Sequence, residues 1–401
     1  MKLSRLTTLF TVFILSPQLL AGEWSGYVGT ELRVFPEDAL FDIQDHTFNG
    51  SLVFEPEYFK EWDDGRQSFA FVPFLRVDQQ DSERTHFDIR ELTWEKIADD
   101  WELRAGIRKV FWGVAESNHL ADIINQTDLI ENIDTEDKLG QPMINFALIK
   151  DWGTVDFFLM PGFRERTFPG IEGRLRTQPR VDTDNPVYES AAEQAHIDLA
   201  IRWSHFIGDF DIGVSHFYGT SRDPRFVFGF NGIEPVLVPH YDIINQTGLD
   251  LQATKGDWLW KLEMIYRSGQ PTVSGDDNYV AFVGGFEYTF VGVFESNMDV
   301  GIVSEYLFDD RDEEAFTPFE DDIMMGVRLA LNDTQSTDLL AGVIFDLDSS
   351  SKSFSLEASQ RLGESWKLEL EARFFSDIEN NDPLYSFRNE DTIQLLLARY
   401  F

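Results

Sequence analysis

The sequence has no cysteine in 401 residues, so no disulfide holds the fold and stability must come from backbone pairing and packing. Positive charge is scarce: 33 Lys and Arg stand against 71 Asp and Glu, a formal net charge of −38. That balance excludes nucleic acid as a partner, because phosphate backbones require clustered Lys and Arg. Long apolar runs are missing too. Beyond residue 21 no stretch approaches the length a membrane helix needs, yet 36 Phe, 11 Tyr and 10 Trp are present. Abundant aromatics and acids without a long apolar segment fit a membrane barrel, whose strands are apolar on one face only, and fit a large soluble β-protein equally well. No Cys/His metal spacing and no glycine-rich nucleotide loop occurs, so no metal or cofactor is expected.

The first 21 residues read as a secretory signal. Lys2 and Arg5 form the positive start, Leu6 to Leu15 is an apolar run too short to span a bilayer, and Ala21 suits the last leader position. Residues 22–401 then form a single domain with 31 basic against 71 acidic residues, a net −40.

Periodicity separates the two β-protein readings. Trp258, Trp260, Leu262, Met264 and Tyr266 alternate with Lys261, Glu263 and Arg267; Trp101, Leu103, Ala105 and Ile107 alternate with Glu102, Arg104 and Arg108; Trp366, Leu368, Leu370, Ala372 and Phe374 alternate with Lys367, Glu369, Glu371 and Arg373. Alternation over about ten residues with full charges on the second face marks a membrane-barrel strand. About 18 such segments follow, near 24–35, 47–60, 66–78, 84–96, 101–112, 142–150, 153–163, 194–207, 209–220, 241–254, 257–268, 278–291, 297–308, 321–332, 337–348, 351–361, 365–376 and 390–401. The expected fold is an all-β, transmembrane, antiparallel up-and-down barrel.

The connections agree. Those after even-numbered strands are short (61–65, 97–100, 151–152, Gly208, 255–256, 362–364), whereas 113–141, 164–193 and 221–240 are long; 349–350 is a short exception. Short periplasmic turns alternating with long outer loops characterise bacterial barrels with both termini periplasmic. The ending Ile393, Leu395, Leu397, Arg399, Tyr400, Phe401 resembles the C-terminal signature that the barrel-assembly machinery reads, with Arg399 where an aromatic or apolar residue is usual and Tyr400 as a stand-in. A first strand so near the leader leaves no room for an N-terminal plug.

Eighteen strands enclose a bore wide enough for water, so the lining residues decide function. With the apolar face on lipid, Arg76, Arg90, Arg104, Arg108, Arg202, Arg267, Arg328 and Arg373 face the lumen beside Glu31, Glu55, Asp88, Glu102, Asp198, Asp250, Glu263, Glu369 and Glu371. Arg76, Arg90, Arg104 and Arg108 lie on three consecutive strands and read either as a basic wall or as partners of neighbouring acids. The segment 113–141 is the third long connection, a position that resembles the constriction loop of general porins. It carries Glu116, Asp122, Asp128, Glu131, Asp134, Glu136 and Asp137, with Ser117 as candidate cap of a short helix through Ile124. Folded inward, these acids oppose the basic wall and set a transverse field; left outside, they form a solvated loop.

Residues 101–128 resemble part of the porin-like family that includes the alginate-export channels. The shared features are Arg104, Gly106 and Arg108, then Trp112-Gly113, Glu116, and Asp122-Ile123-Ile124-Asn125 with Asp128; Gln126 replaces the Pro common there. The resemblance implies a passive channel with a charged lumen and carries over no substrate.

A second unusual stretch holds Arg164, Arg166, Arg174, Arg176 and Arg180. Arg clusters bind carboxylates and phosphates bidentately. The stretch reads as a mouth patch for acidic solutes or lipopolysaccharide, or as internal partners for Asp309 to Glu314 and Glu320 to Asp322. Catalysis lacks support: His46, His86, His119, His196, His205, His216 and His240 are scattered, with His205 and His216 on the apolar face. The sequence therefore points to a passive outer-membrane channel of a Gram-negative bacterium for small polar or anionic solutes, touching outer-membrane lipid and lipopolysaccharide. The alternative is a non-conducting barrel that binds surface polysaccharide or lipid.

Overall fold

The computed structural model describes residues 22–275, 277–315 and 317–401; the expected leader lies outside them. The described residues form β1 (Glu23–Val34), β2 (Phe48–Trp62), β3 (Gln67–Asp78), β4 (His86–Ile97), β5 (Trp101–Arg108), β6 (Gln141–Lys150), β7 (Gly153–Pro161), β8 (Val187–Tyr188), β9 (Ile197–Ile207), β10 (Phe210–Thr220), β11 (Arg225–Asn231) and β12 (Glu234–Tyr241). They continue with β13 (Ile243–Lys255), β14 (Trp258–Ser268), β15 (Asn278–Phe290), β16 (Asp299–Asp309), β17 (Asp321–Ala330), β18 (Asp338–Asp346), β19 (Lys352–Leu362), β20 (Trp366–Ser376) and β21 (Thr392–Tyr400). Eighteen of them make one antiparallel sheet, and β8, β11 and β12 make a small separate one. All 18 expected segments are barrel strands.

The sheet closes on itself. β1 pairs with β2 on one edge and β21 on the other, with Tyr27 opposite Tyr400 and Val34 opposite Ile393, so no edge is left unpaired. β14 shows why the sequence alternates: Trp260, Met264 and Tyr266 face outward, while Lys261, Glu263 and Arg267 are buried inside. The last strand follows the same rule. Leu395, Leu397 and Phe401 lie on the outward row, Phe401 stacks on Phe54, and Arg399 sits over the Trp366 ring. Arg399 thus occupies the lipid-facing row at its rim, where a cation rests on an aromatic belt, and Tyr400 is not the stand-in but the inner neighbour of Tyr27.

Strand connections alternate in length as expected. Gly208 and Gly256 adopt φ of 64° and 63°, the left-handed conformation that tight two-residue hairpins require. The eight-residue turn 291–298 is longer than its short-end neighbours. Among the described residues no helix is long and apolar enough to cross a membrane.

Candidate functional site: the bore and its inward segment

Residues 109–140, between β5 and β6, fold into the barrel. The inner faces of β6, β7, β9, β10 and β13 carry Met143, Phe158, Met160, Ala200, Phe217 and Ile244, and Trp112, Ala121, Ile123 and Ile124 of the segment pack onto them. This apolar contact removes both surfaces from water. The segment contains no helix, so its amides need other acceptors. Two buried wall carboxylates supply them. Glu263 of β14 accepts from the amides of Val114 (2.7 Å), Ala115 (2.9 Å) and Ala121 (2.9 Å). Glu305 of β16 accepts from those of Glu116 and Ser117, both at 2.8 Å, and from the Ser117 hydroxyl at 2.6 Å. Ser117 therefore anchors the segment to the wall and caps no helix.

The other end of the segment meets β1, β3 and β4. Arg76 holds Glu131 at 2.5 Å and Glu31 at 2.8 Å. Arg90 holds Asp128 at 2.7 Å, and Arg84 donates to the Ile130 carbonyl at 3.0 Å. Across the bore, Arg328 reaches Glu116 at 2.7 Å and Arg373 reaches Asp134 at 2.7 Å, while Lys138 pairs with Asp122 at 3.2 Å within the segment. Glu116, Asp122, Asp128 and Glu131 all lie inside the barrel, in contact with cations.

This arrangement corrects the picture of a bare basic wall facing acids across a gap. Arg76 and Arg90 touch the acids directly. Arg104 pairs with Glu95 at 2.5 Å and also with Glu102, and Arg202 holds Asp250 at 2.5 Å. Arg108 differs, donating to the Asn145 side chain at 3.1 Å.

The mouth arginines are likewise engaged. Arg164 holds Asp88 (2.9 Å), Arg166 holds Asp223 (2.5 Å), Arg174 holds Glu390 (2.7 Å) and Arg180 holds Glu234 (3.1 Å). None takes an acid from the two loops expected; Asp309, for one, holds Arg311. Arg176 donates to the carbonyls of Ile171 and Thr177 and lies over the Phe41 ring.

The segment leaves a cavity of about 1120 Å³ between itself and the inner wall, reaching up to the mouth loops. Its charged lining is balanced. Lys138, Arg166, Arg176, Arg222, Lys261, Arg267, Arg311 and Arg373 face Glu116, Asp122, Asp134, Glu136, Asp223, Asp309, Glu357 and Asp382, eight of each sign in a chain of net −38. At the mouth, Glu320 is pushed up to about 7 by burial and by the nearby carboxylates of Asp346, Asp382 and Asp309. Among the described residues no three His, Asp or Glu side chains gather to hold a metal, and no serine hydroxyl hydrogen-bonds a histidine. His196 pairs with Asp198, and His216 bonds Thr247 on the outer face.

Sequence reasoning missed two features. The inner apolar lining was signalled by Phe157-Phe158-Leu159-Met160, four consecutive apolar residues that break the alternation; Phe157 and Leu159 face outward, Phe158 and Met160 inward. The hairpin β11–β12 was signalled by Asn231-Gly232 between alternating apolar runs.

No family model matches the sequence, and no curated protein does. Solved structures do match. OccK8 (OprE) of Pseudomonas aeruginosa is 11% identical, with 95% of this chain and 98% of that one covered at a TM-score of 0.55. OccK5 (OpdH) of the same organism is 9% identical over 94% and 98%, at 0.55. Wzi, an outer-membrane protein involved in group 1 capsule assembly in Escherichia coli and a carbohydrate-binding β-barrel, is 8% identical over 94% and 84%, at 0.55. At such identities the likeness is one of fold: the chain folds as a closed, 18-stranded antiparallel barrel, as these proteins do. The narrower resemblance to alginate-export channels rests on residues 101–128 alone.

Proposed function

We propose that the protein is a passive diffusion channel of the Gram-negative outer membrane for small polar or anionic solutes, with an exterior that contacts lipid and lipopolysaccharide. The observation that carries this reading is the space of about 1120 Å³ left beside the inward segment, lined by eight Lys or Arg and eight Asp or Glu side chains. A polar solute there exchanges water hydrogen bonds for protein ones at little net cost. Arg176, which lines the cavity and has only neutral partners among the hydrogen bonds above, is the side chain best placed to meet a carboxylate; Arg108 stands on the wall outside that lining, and the acids Glu116, Asp122, Asp128 and Glu131 set the shape of the passage. Catalysis has no place in the reading.

Conductance of the purified barrel in planar bilayers tests it. Replacing Arg104 and Arg108 with Glu is expected to move the reversal potential toward cations under a salt gradient; an unmoved potential would remove these arginines from selectivity. The second reading, a non-conducting barrel that binds surface polysaccharide or lipid, is favoured by how densely the segment fills the bore along β6 to β13. A closed current trace in every salt would establish it over the first.

A further inference from the structure

The hairpin β11–β12 rises at the long-loop end, and one of its faces continues the cavity wall. Phe226 and Leu237 line the cavity. Side chains two apart on a strand share a face, as do cross-strand partners, so Phe228, which opposes Leu237, and Phe230 lie on the face of Phe226. Exposure rises along this row. Phe226 packs edge-on against Phe168 at 5.8 Å, whereas Phe228 and Phe230 are 60% and 67% exposed and meet edge to face at 5.4 Å. Large rings held in water on paired strands mark a contact surface.

We propose that the row Phe230, Phe228, Phe226 is a binding track for the sugar rings of a glycan, leading them from the outside into the cavity. The proposal rests on the channel reading and narrows its solute. The chemistry at the foot of the track selects the occupant. An alkyl chain suits phenyl rings but displaces water from the cavity's charged and amide groups without replacing its hydrogen bonds. A polyanion meets as many carboxylates as Lys and Arg side chains. A pyranose presents C–H groups on its faces for the rings and hydroxyls on its edges, which both donate to carboxylates and accept from guanidiniums.

The test uses the full barrel in planar bilayers, with maltohexaose, cellohexaose or chitohexaose added to one side at a time. At least one sugar is expected to interrupt the current, at lower concentration from the long-loop side. In the double variant Phe228→Ala, Phe230→Ala the half-blocking concentration rises at least tenfold while open conductance is unchanged, and Trp at both positions preserves the block. The track is overturned if no sugar blocks, if the double variant blocks as well as the parent, or if hexanoate blocks at lower concentration than every sugar. A barrel that carries no current defeats the channel reading separately. Calorimetric titration of the same sugars onto the detergent-solubilised barrel then decides the track: binding that the double variant loses upholds it, and no binding ends it.

Discussion

The inward segment is held differently on its two sides. Toward β1, β3 and β4 it meets Arg76, Arg84 and Arg90, whose side chains are only 6%, 3% and 4% exposed and which share Glu31, Asp78, Asp128 and Glu131 among them. Toward β17 and β20 it meets Arg328 and Arg373, 38% and 19% exposed, across the cavity. The residue types are the same. What differs is water: a dry network fixes the path of the chain, and a wet pair leaves room for solute. Charge in a lumen therefore does two jobs, and exposure rather than sequence tells them apart.

The largest effect is expected on the dry side. Arg76→Ala leaves Glu131 buried without its main cation and takes one of three arginines from Glu31, which costs about 3–5 kcal/mol for a buried pair. Urea unfolding in detergent micelles measures it, and single-channel conductance should rise as the segment loosens. Replacing Arg76, Glu31 and Glu131 together with apolar residues should recover much of the loss. A cost for Arg76→Ala below about 1 kcal/mol would mean that water reaches the network and that the two sides do not differ.

Glu263→Gln comes next. Its carboxylate serves three amides, and an amide oxygen keeps only some of those bonds without charge assistance, so a loss of about 2–3 kcal/mol is expected. Hydrogen exchange at Val114, Ala115 and Ala121 should quicken while that of the strand amides stays slow. Uniform acceleration would show that Glu263 supports the barrel rather than the segment.

The same contrast explains what was legible in the sequence. Lipid on one side of each strand imprints a two-residue period, so all 18 strands could be read, and Gly208 and Gly256 announced their turns. The partners of the arginines could not be read. Arg76 and Glu131 are 55 residues apart and meet only because the segment turns inward, a path set by apolar contacts with Phe158, Met160 and Phe217. Those contacts left a local trace at 157–160, but their meaning depends on a partner that periodicity does not identify. The particular partners of the mouth arginines escaped for the same reason: Glu390 lies 216 residues from Arg174.

On the wet side stability should barely respond. Arg373→Ala removes a partly exposed pair with Asp134, expected to cost below about 1 kcal/mol. On the proposed channel reading its effect belongs to transport instead, because the Asp134 and Glu357 carboxylates then face the cavity uncompensated, and selectivity should move toward cations in reversal-potential measurements. A large loss of stability with unchanged selectivity would place Arg373 with the dry network.

The smallest effect is expected from protons at the mouth. Glu320 is pushed up to about 7 by burial and by Asp346, Asp382 and Asp309, so between the ordinary carboxylate range and pH 7 the folded protein holds a proton that the unfolded chain has released. Stability from this group is therefore fully present below the unfolded pKa and declines as pH rises toward 7, the reverse of a salt-bridged acid. Glu320→Gln should flatten that decline in unfolding curves taken from pH 5 to pH 8, and raise stability slightly at the alkaline end. A variant whose stability still falls over the same window would assign the proton to another carboxylate of the cluster, and one that loses stability at pH 8 would show that Glu320 is charged and paired there, as the arginine-bound acids of the dry side are.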